Sequence, residues 1–459
     1  MKRSLLCALL CSLPTGIAWA DGAVYAMTNT LGNNQILVYH RASNGNLTLM
    51  QTIATGGGGS GLQLAGVDSL GSAGSVQLDA SHHLLFAVNT ESASINNGAG
   101  SYNSDCQQGT ITSFLVSSNG MLTLANRVSS GGLFPNSLAV RKFGNGDGEG
   151  NDNGNRKEDG NDNAQNGDLL YVLNAGGPGA CNVSPNVTGF QVDASGHMTP
   201  VTAAQDIFPG LATGSGADCS AASAAGFAGL TGAPAADFAC GLNPPSFPRS
   251  PAQVRFTPDG DQLIVTVKGT NSIYVFPLDG NGRAGSPTIS PSTLPALPSF
   301  FGFTFDKNAH MLVTELFGSS TSIPAGAMGA ISSFTVTNTG SLHSISSHVG
   351  DGGTAACWIA LEPKNGKYVY VANNLSASIS SYSVSGDGSV TLLNGTAAPG
   401  KGPNDLAAAT ENGASFLYVV DAGTGTVGAF QINLTNGSLT AITGGSGLPT
   451  TSAQGLAAF

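Results

Sequence analysis

Charge is what this chain has least of. Only 9% of its 459 residues are Asp, Glu, Lys or Arg. That speaks against a helical domain and suits short strands joined by tight turns, with Ser, Thr and Asn keeping the surface wet. Basic residues are scarcer still, 16 against 27 acidic. Without Lys2 and Arg3, which belong to a leader, the balance is 14 against 27, a net of −13. Such a surface repels nucleic acid and anionic membranes, so neither is expected as a partner. After the first twenty residues no apolar run is long enough to span a membrane. No Cys-x-x-Cys or paired-His spacing occurs, which leaves no zinc motif; no metal and no cofactor are expected.

Residues 1–20 have the form of a secretory signal. Lys2 and Arg3 are followed by the apolar run Leu5–Leu13 and the small-x-small site Ala18-Trp19-Ala20. Neither Cys7 nor Cys11 stands where lipoprotein processing would need it. The sequence therefore predicts a periplasmic or secreted product, residues 21–459, monomeric and without a membrane insertion.

Glycine is abundant, 65 residues, and it marks a sevenfold repeat. Apolar strands open at Val24, Leu85, Leu170, Ile264, Leu312, Val369 and Leu417. Second strands follow at Ile36, Ile111, Val187, Ile273, Ile331, Ile379 and Val427. Each unit closes on a turn with Gly45, Gly120, Gly196, Gly282, Gly340, Gly388 or Gly437, where a hairpin requires positive φ. A unit of this kind cannot bury its own faces; seven packed radially make a β-propeller of four-stranded antiparallel blades. Six blades carry a further apolar segment upstream, at Val76, Leu138, Val254, Phe303, Trp358 and Leu406. The first lacks it, so Gly455–Phe459 is expected to supply the innermost strand there and close the ring. Strands are lettered a to d from the axis outward. The uneven spacing of Ile331, Phe334 and Val336 reads as a strand-start residue, with a bulge as the alternative.

Two insertions interrupt the spacing. Residues 144–167 are almost all Gly, Asn, Asp and Glu and are expected to be a solvated, disordered tether on the bottom face; their calcium-loop likeness fails on spacing. Residues 203–248 carry Cys219 and Cys240 and fall on the top face. Export makes disulfides plausible, Cys219 with Cys240 and Cys106 with Cys181, leaving Cys357 as a buried small residue.

No histidine maps to the channel mouth, which makes a Ser–His–Asp arrangement there hard to build. The b-strand ends that face the top are Asn29, Asn89, Asn174, Lys268, Glu315, Asn373 and Asp421. The four Asn read as turn-forming groups. Lys268 and Glu315 break the pattern in consecutive blades. Side by side they would be either a base with its anion-holding partner or an ion pair that neutralises itself. The a-strand starts offer Asn136, Gln253, Trp358, Asn404, Asp405 and Gln454, a set suited to a polar small molecule or to packing between blades.

Pro363–Tyr382, Phe256–Gly260 with Asn271–Ile273, and Leu417–Val427 resemble the blades of lactonase-type seven-bladed propellers, the family of bacterial 6-phosphogluconolactonases and fungal carboxymuconate-cyclising enzymes. The likeness covers the whole mature chain. It implies a lactone-acting enzyme that uses a His near an inner-strand start with Arg and Glu nearby. This chain departs from that pattern, with Gln253, Phe303 and Trp358 where such a His would stand. Two readings follow. In one, a small lactone is hydrolysed or isomerised at the mouth by Glu315 and Lys268, with Arg249, Gln253, Trp358, Asn404 and Asp405 binding it. In the other, a non-enzymatic propeller binds an envelope protein, a glycan or a small molecule.

Overall fold

The computed structural model describes residues 22–61, 68–91, 108–143, 167–176, 185–201, 251–268, 271–291, 300–318 and 328–459. These form 28 strands in seven four-stranded antiparallel sheets, with no helix among the described residues. The fold is the seven-bladed propeller that the repeat predicts. The leader, most of the 144–167 insertion, the 203–248 insertion, Arg249, Cys106, Cys181, Cys219 and Cys240 lie outside the described residues.

Blade 1 is ordered Leu456–Ala458, Ala23–Met27, Gln35–Arg41, Leu47–Ala54, from a to d. The chain's last strand therefore completes its first blade. Val24 pairs with Ala458, Tyr25 with Ala457 and Ala26 with Leu456. The Ala23 amide donates to the Phe459 carbonyl at 3.2 Å, and the Phe459 amide donates back at 3.0 Å. Arg41, 1% exposed, donates from Nε to the Phe459 carbonyl at 2.9 Å and from Nη2 to Glu411 of blade 7 at 3.1 Å. Each inner strand touches the next around the whole circle.

The b strands read as unbroken apolar runs because both their faces are covered by neighbouring blades. Leu84–Asn89 and Tyr368–Asn373 are buried at every position. The outer strands are exposed over much of their length, as in Leu47–Ala54. Bulges interrupt the outer edge of the blades. The pairing of c with d slips between Ile331 and Ser333, between Val38 and Tyr39, and between Ser113 and Phe114. In each slip the extra residue lies on the d strand, while Ala330–Thr335 of the c strand pair with the b strand in unbroken register; Ile331 is the fourth residue of its strand, so neither a strand start nor a c-strand bulge accounts for the spacing.

Blade is fastened to blade by one recurring bond. Tyr25 donates its hydroxyl to the Gly120 carbonyl at 2.8 Å, Tyr171 to Gly282 at 2.7 Å, Tyr370 to Gly437 at 2.9 Å and Tyr418 to Gly45 at 3.0 Å. In each case a b-strand Tyr reaches the c–d turn of the following blade. Blade 2 has Phe86 at the Tyr position, and there Ser113 supplies the hydroxyl, 2.6 Å from the Gly196 carbonyl. The turn glycine is needed twice over. Gly45 has φ +84°, and a Cβ there would lie 2.3 Å from the Phe416 ring. Tyr370→Phe removes one buried bond and leaves the Gly437 carbonyl without it. The expected cost is about 1–2 kcal/mol in chemical denaturation, with secondary structure unchanged by circular dichroism.

Candidate functional site

The axial mouth is filled by the chain itself. The segment Asp68–Ser75, which leads into the a strand of blade 2 (Val76–Asp79), crosses from one side of the ring to the other. The Ser72 carbonyl accepts from Trp358 Nε1 of blade 6 at 3.0 Å and from Gln454 Nε2 of blade 1 at 2.7 Å. The Ser72 hydroxyl donates to the Asn136 carbonyl of blade 3 at 2.6 Å, and the Ala73 amide to the Ala252 carbonyl of blade 4 at 3.0 Å. Gln454 Oε1 accepts from the Leu70 amide at 2.9 Å. Trp358 and Gln454 thus reach this segment with their side chains, and Asn136 with its own carbonyl, its side-chain Nδ2 donating instead to the Pro251 carbonyl at 3.0 Å. Gln253 accepts from the Phe303 amide at 2.6 Å. Asn404 accepts from Asn374 Nδ2.

Beneath the segment lies a buried ionisable cluster. Lys268 is 1% exposed and Asp68 is fully buried. Lys268 Nζ donates to the Gly71 carbonyl and stands 4.8 Å from the centre of the Phe301 ring. Asp68 Oδ1 accepts from the Leu70 amide at 2.9 Å and the Gly71 amide at 2.7 Å, while its Oδ2 has no hydrogen-bond partner. Burial raises the Asp68 carboxyl to about 6, against the opposing charge of Lys268. Burial lowers the Lys268 ammonium to about 8, with Asp68 opposing the shift. Asp405 sits on the a strand of blade 7 (Pro403–Glu411). Its Oδ1 accepts from the Leu406 amide at 2.9 Å and its Oδ2 has no partner. Burial, with the charge on Asp68 adding to it, raises Asp405 to about 8. Burial also pushes the Cys357 thiol well above its ordinary value, and Cys357 is a free, buried cysteine. At neutral pH the cluster holds a carboxylate, an ammonium, a neutral carboxylic acid and a thiol.

Lys268 and Glu315 do not stand side by side. In the pairing of a with b strands, Pro135 faces Asn174, Phe300 faces Glu315, Ala356 faces Asn373 and Pro403 faces Asp421. In blade 4 the corresponding partner of Pro251 is Val267. Lys268 is therefore one residue further on than the repeat suggests, and in a structure of period two that single step turns it to another face. Glu315 behaves as its Asn counterparts do and bonds to the c strand. Its Oε1 accepts from Ser332 at 2.5 Å, as Asn174 Nδ2 donates to Asn186 at 2.8 Å and Asn373 Nδ2 to Ser380 at 3.3 Å. Its other oxygen lies 2.5 Å from His348 Nδ1 on the outer strand, and that contact raises the imidazole's pKa. The Asn residues also tie down connectors: Asn29 Nδ2 donates to Ser60 at 2.7 Å and Ser69 at 2.9 Å. Asp68, which completes the buried cluster, carries no signal in the sequence. It stands in a Gly/Ser-rich stretch without periodicity.

No family model matches this sequence, and no curated protein matches it. Solved structures do. A putative 6-phosphogluconolactonase from Bacteroides fragilis aligns over 96% of this chain and 98% of its own, with TM-score 0.57 and 16% identity. A second, from Bacteroides uniformis, aligns over 96% and 100%, with TM-score 0.56 and 14% identity. The periplasmic gluconolactonase of Pseudomonas aeruginosa aligns over 94% and 97%, with TM-score 0.58 and 14% identity. The chain has the fold of the lactonase-type propellers. At the axis of this propeller two buried carboxylate oxygens, Asp68 Oδ2 and Asp405 Oδ2, lack partners, which costs stability that packing alone does not return.

Proposed function

We propose that this chain is an exported lactonase-like propeller that hydrolyses a small polar lactone at its axial mouth. The observation that carries this is the meeting of Asp68, Lys268 and Asp405, two of whose carboxylate oxygens lack partners. Asp68, ionised at neutral pH, would take a proton from the attacking water as that water's oxygen bonds to the lactone carbonyl carbon. Lys268 would hold the developing oxyanion or an anionic group of the substrate. Neutral Asp405 would protonate the ring oxygen as the C–O bond breaks, giving the hydroxy acid. Glu315, bonded to Ser332 and His348, is left outside this reaction. Substrate would enter as Ser69–Ser75 withdraws from the mouth. The leader-like residues 1–20 support export.

A second reading has its own observation. Ser72, held by both Trp358 and Gln454, makes the segment a permanent plug, and the protein a binding propeller for an envelope protein or glycan. Hydrolysis of a lactone panel, including glucono-δ-lactone and its 6-phosphate, separates the two. Wild type is expected to turn over at least one. Asp68→Asn should lower kcat by roughly a hundredfold or more, while Glu315→Gln should leave it within about threefold. A folded wild type inert toward every lactone overturns the enzymatic reading.

A further inference from the structure

A second cluster lies at the bottom of the joint between blades 2 and 3, far from the mouth. Asp79 ends the a strand of blade 2, and His82 follows in its a–b turn. Asp168 comes from the b strand of blade 3 (Gly167–Asn174). His82 Nδ1 lies 2.8 Å from Asp79 Oδ2 and 2.7 Å from Asp168 Oδ1. One donor atom from each of the three residues falls within 4.8 Å of the others. We propose that Asp79, His82 and Asp168 form a binding site for a divalent first-row transition-metal cation, Zn2+ or Mn2+, that staples blade 2 to blade 3.

The donor set suits such an ion: one imidazole nitrogen and two carboxylates from rigid elements. With metal–ligand bonds of about 2.1 Å, adjacent ligands of an octahedral ion lie about 3 Å apart, close to the separations found here. The turn is organised to present them. Asp79 Oδ1 accepts from the Ser81 amide at 2.8 Å and the Ser81 hydroxyl at 2.6 Å, which leaves Oδ2 for His82.

A second observation points to a missing ligand. The Asp168 side chain is 1% exposed, and its Oδ2 has no hydrogen-bond partner. A single Nδ1–H cannot satisfy two carboxylates at once. Two carboxylates gathered beside one imidazole leave the joint under-neutralised. A dication neutralises both carboxylates. The imidazole, 28% exposed, leaves a solvent path by which water can fill the remaining positions. No spacing rule reveals this site, because the third ligand comes from another blade.

The test is calorimetric titration of chelator-treated, full-length mature protein with Zn2+ and with Mn2+, beside thermal denaturation with each ion. Binding of one ion per chain and a rise in Tm are expected. Asp168→Asn preserves shape, and His82→Gln alters a partly exposed turn; each should weaken binding at least tenfold and remove the rise in Tm. Co2+ substitution gives a readout independent of stability: a visible d–d band in wild type, lost in His82→Gln. Absence of binding tighter than millimolar overturns the proposal, and so does binding that both variants retain, which would place the ion elsewhere, for example on the acidic 144–166 stretch.

Discussion

Deletion of Gly455–Phe459 is expected to abolish the native ring. The product should be aggregated or molten in gel filtration, without a cooperative thermal transition. Three losses coincide. The inner strand of blade 1 disappears, and with it the bonds between Ala23 and Phe459 and between the Met27 amide and the Gly455 carbonyl. These are worth about 1 kcal/mol each. Arg41, 1% exposed, loses the carbonyl that its Nε binds, while its Nη1 already lacks a partner. Glu411 still holds Nη2, so the cost is that of one more unsatisfied buried donor, about 1–3 kcal/mol. Tyr25 loses the stacked ring of Phe459, and the b strand Ala23–Met27 becomes an open, wholly buried-type edge. Together these reach the lower end of the stability of an ordinary domain, about 5–15 kcal/mol. Adding the pentapeptide in trans should restore little, because its ordering entropy is no longer covered by the chain. A cooperative transition within a few degrees of wild type would show that the terminal strand does not close the ring.

The difference between what could be read from the residues and what could not follows from the geometry of a propeller. Strand identity, blade count and closure were legible because each b strand is covered on both faces and each c–d turn needs glycine. The partner of Tyr25, Tyr171, Tyr370 and Tyr418 was equally written in the repeat, as a Tyr in register with the next blade's turn, but composition does not say where a hydroxyl points. Side-chain facing was the harder quantity. Aligning Lys268 with Glu315 placed both at the top of neighbouring b strands, which is where they are. A shift of one residue in blade 4 separates their faces, and only the pairing of Pro251 with Val267 exposes it. The segment Asp68–Ser75 could not be read at all. Its backbone, more than its side chains, occupies the mouth, and Gly71, Ser72 and Ala73 act through peptide groups that every sequence possesses.

Lys268→Met alone should be among the most damaging single substitutions, while Lys268→Met combined with Asp68→Asn should restore stability to near wild type. Removing the ammonium leaves the buried Asp68 carboxylate without its counter-charge, a loss of roughly 3–5 kcal/mol. Removing both charges with groups of similar shape removes the desolvation penalty as well, so the double variant is expected to lie within about 1 kcal/mol of wild type or above it. The dependence on pH has a definite sign. Asp68 and Asp405 have folded values raised to about 6 and about 8. The stability their neutral forms contribute is fully present below their ordinary value near 4 and is lost as pH rises through 6 and 8. Lys268 has a folded value lowered to about 8, so between pH 8 and its ordinary value near 10 the unfolded chain holds more protons and stability climbs again. Wild type should therefore show a stability minimum near pH 8. Asp405→Asn should remove the larger part of the fall between pH 4 and 8, on the order of several kcal/mol. Urea denaturation of wild type, Lys268→Met, Asp68→Asn, the double variant and Asp405→Asn at intervals from pH 4 to 10 measures all of this. A double variant as unstable as the sum of its singles would mean that the two charges are not coupled. A stable double variant without lactone turnover would mean that the pair is kept at the axis for chemistry and not for folding.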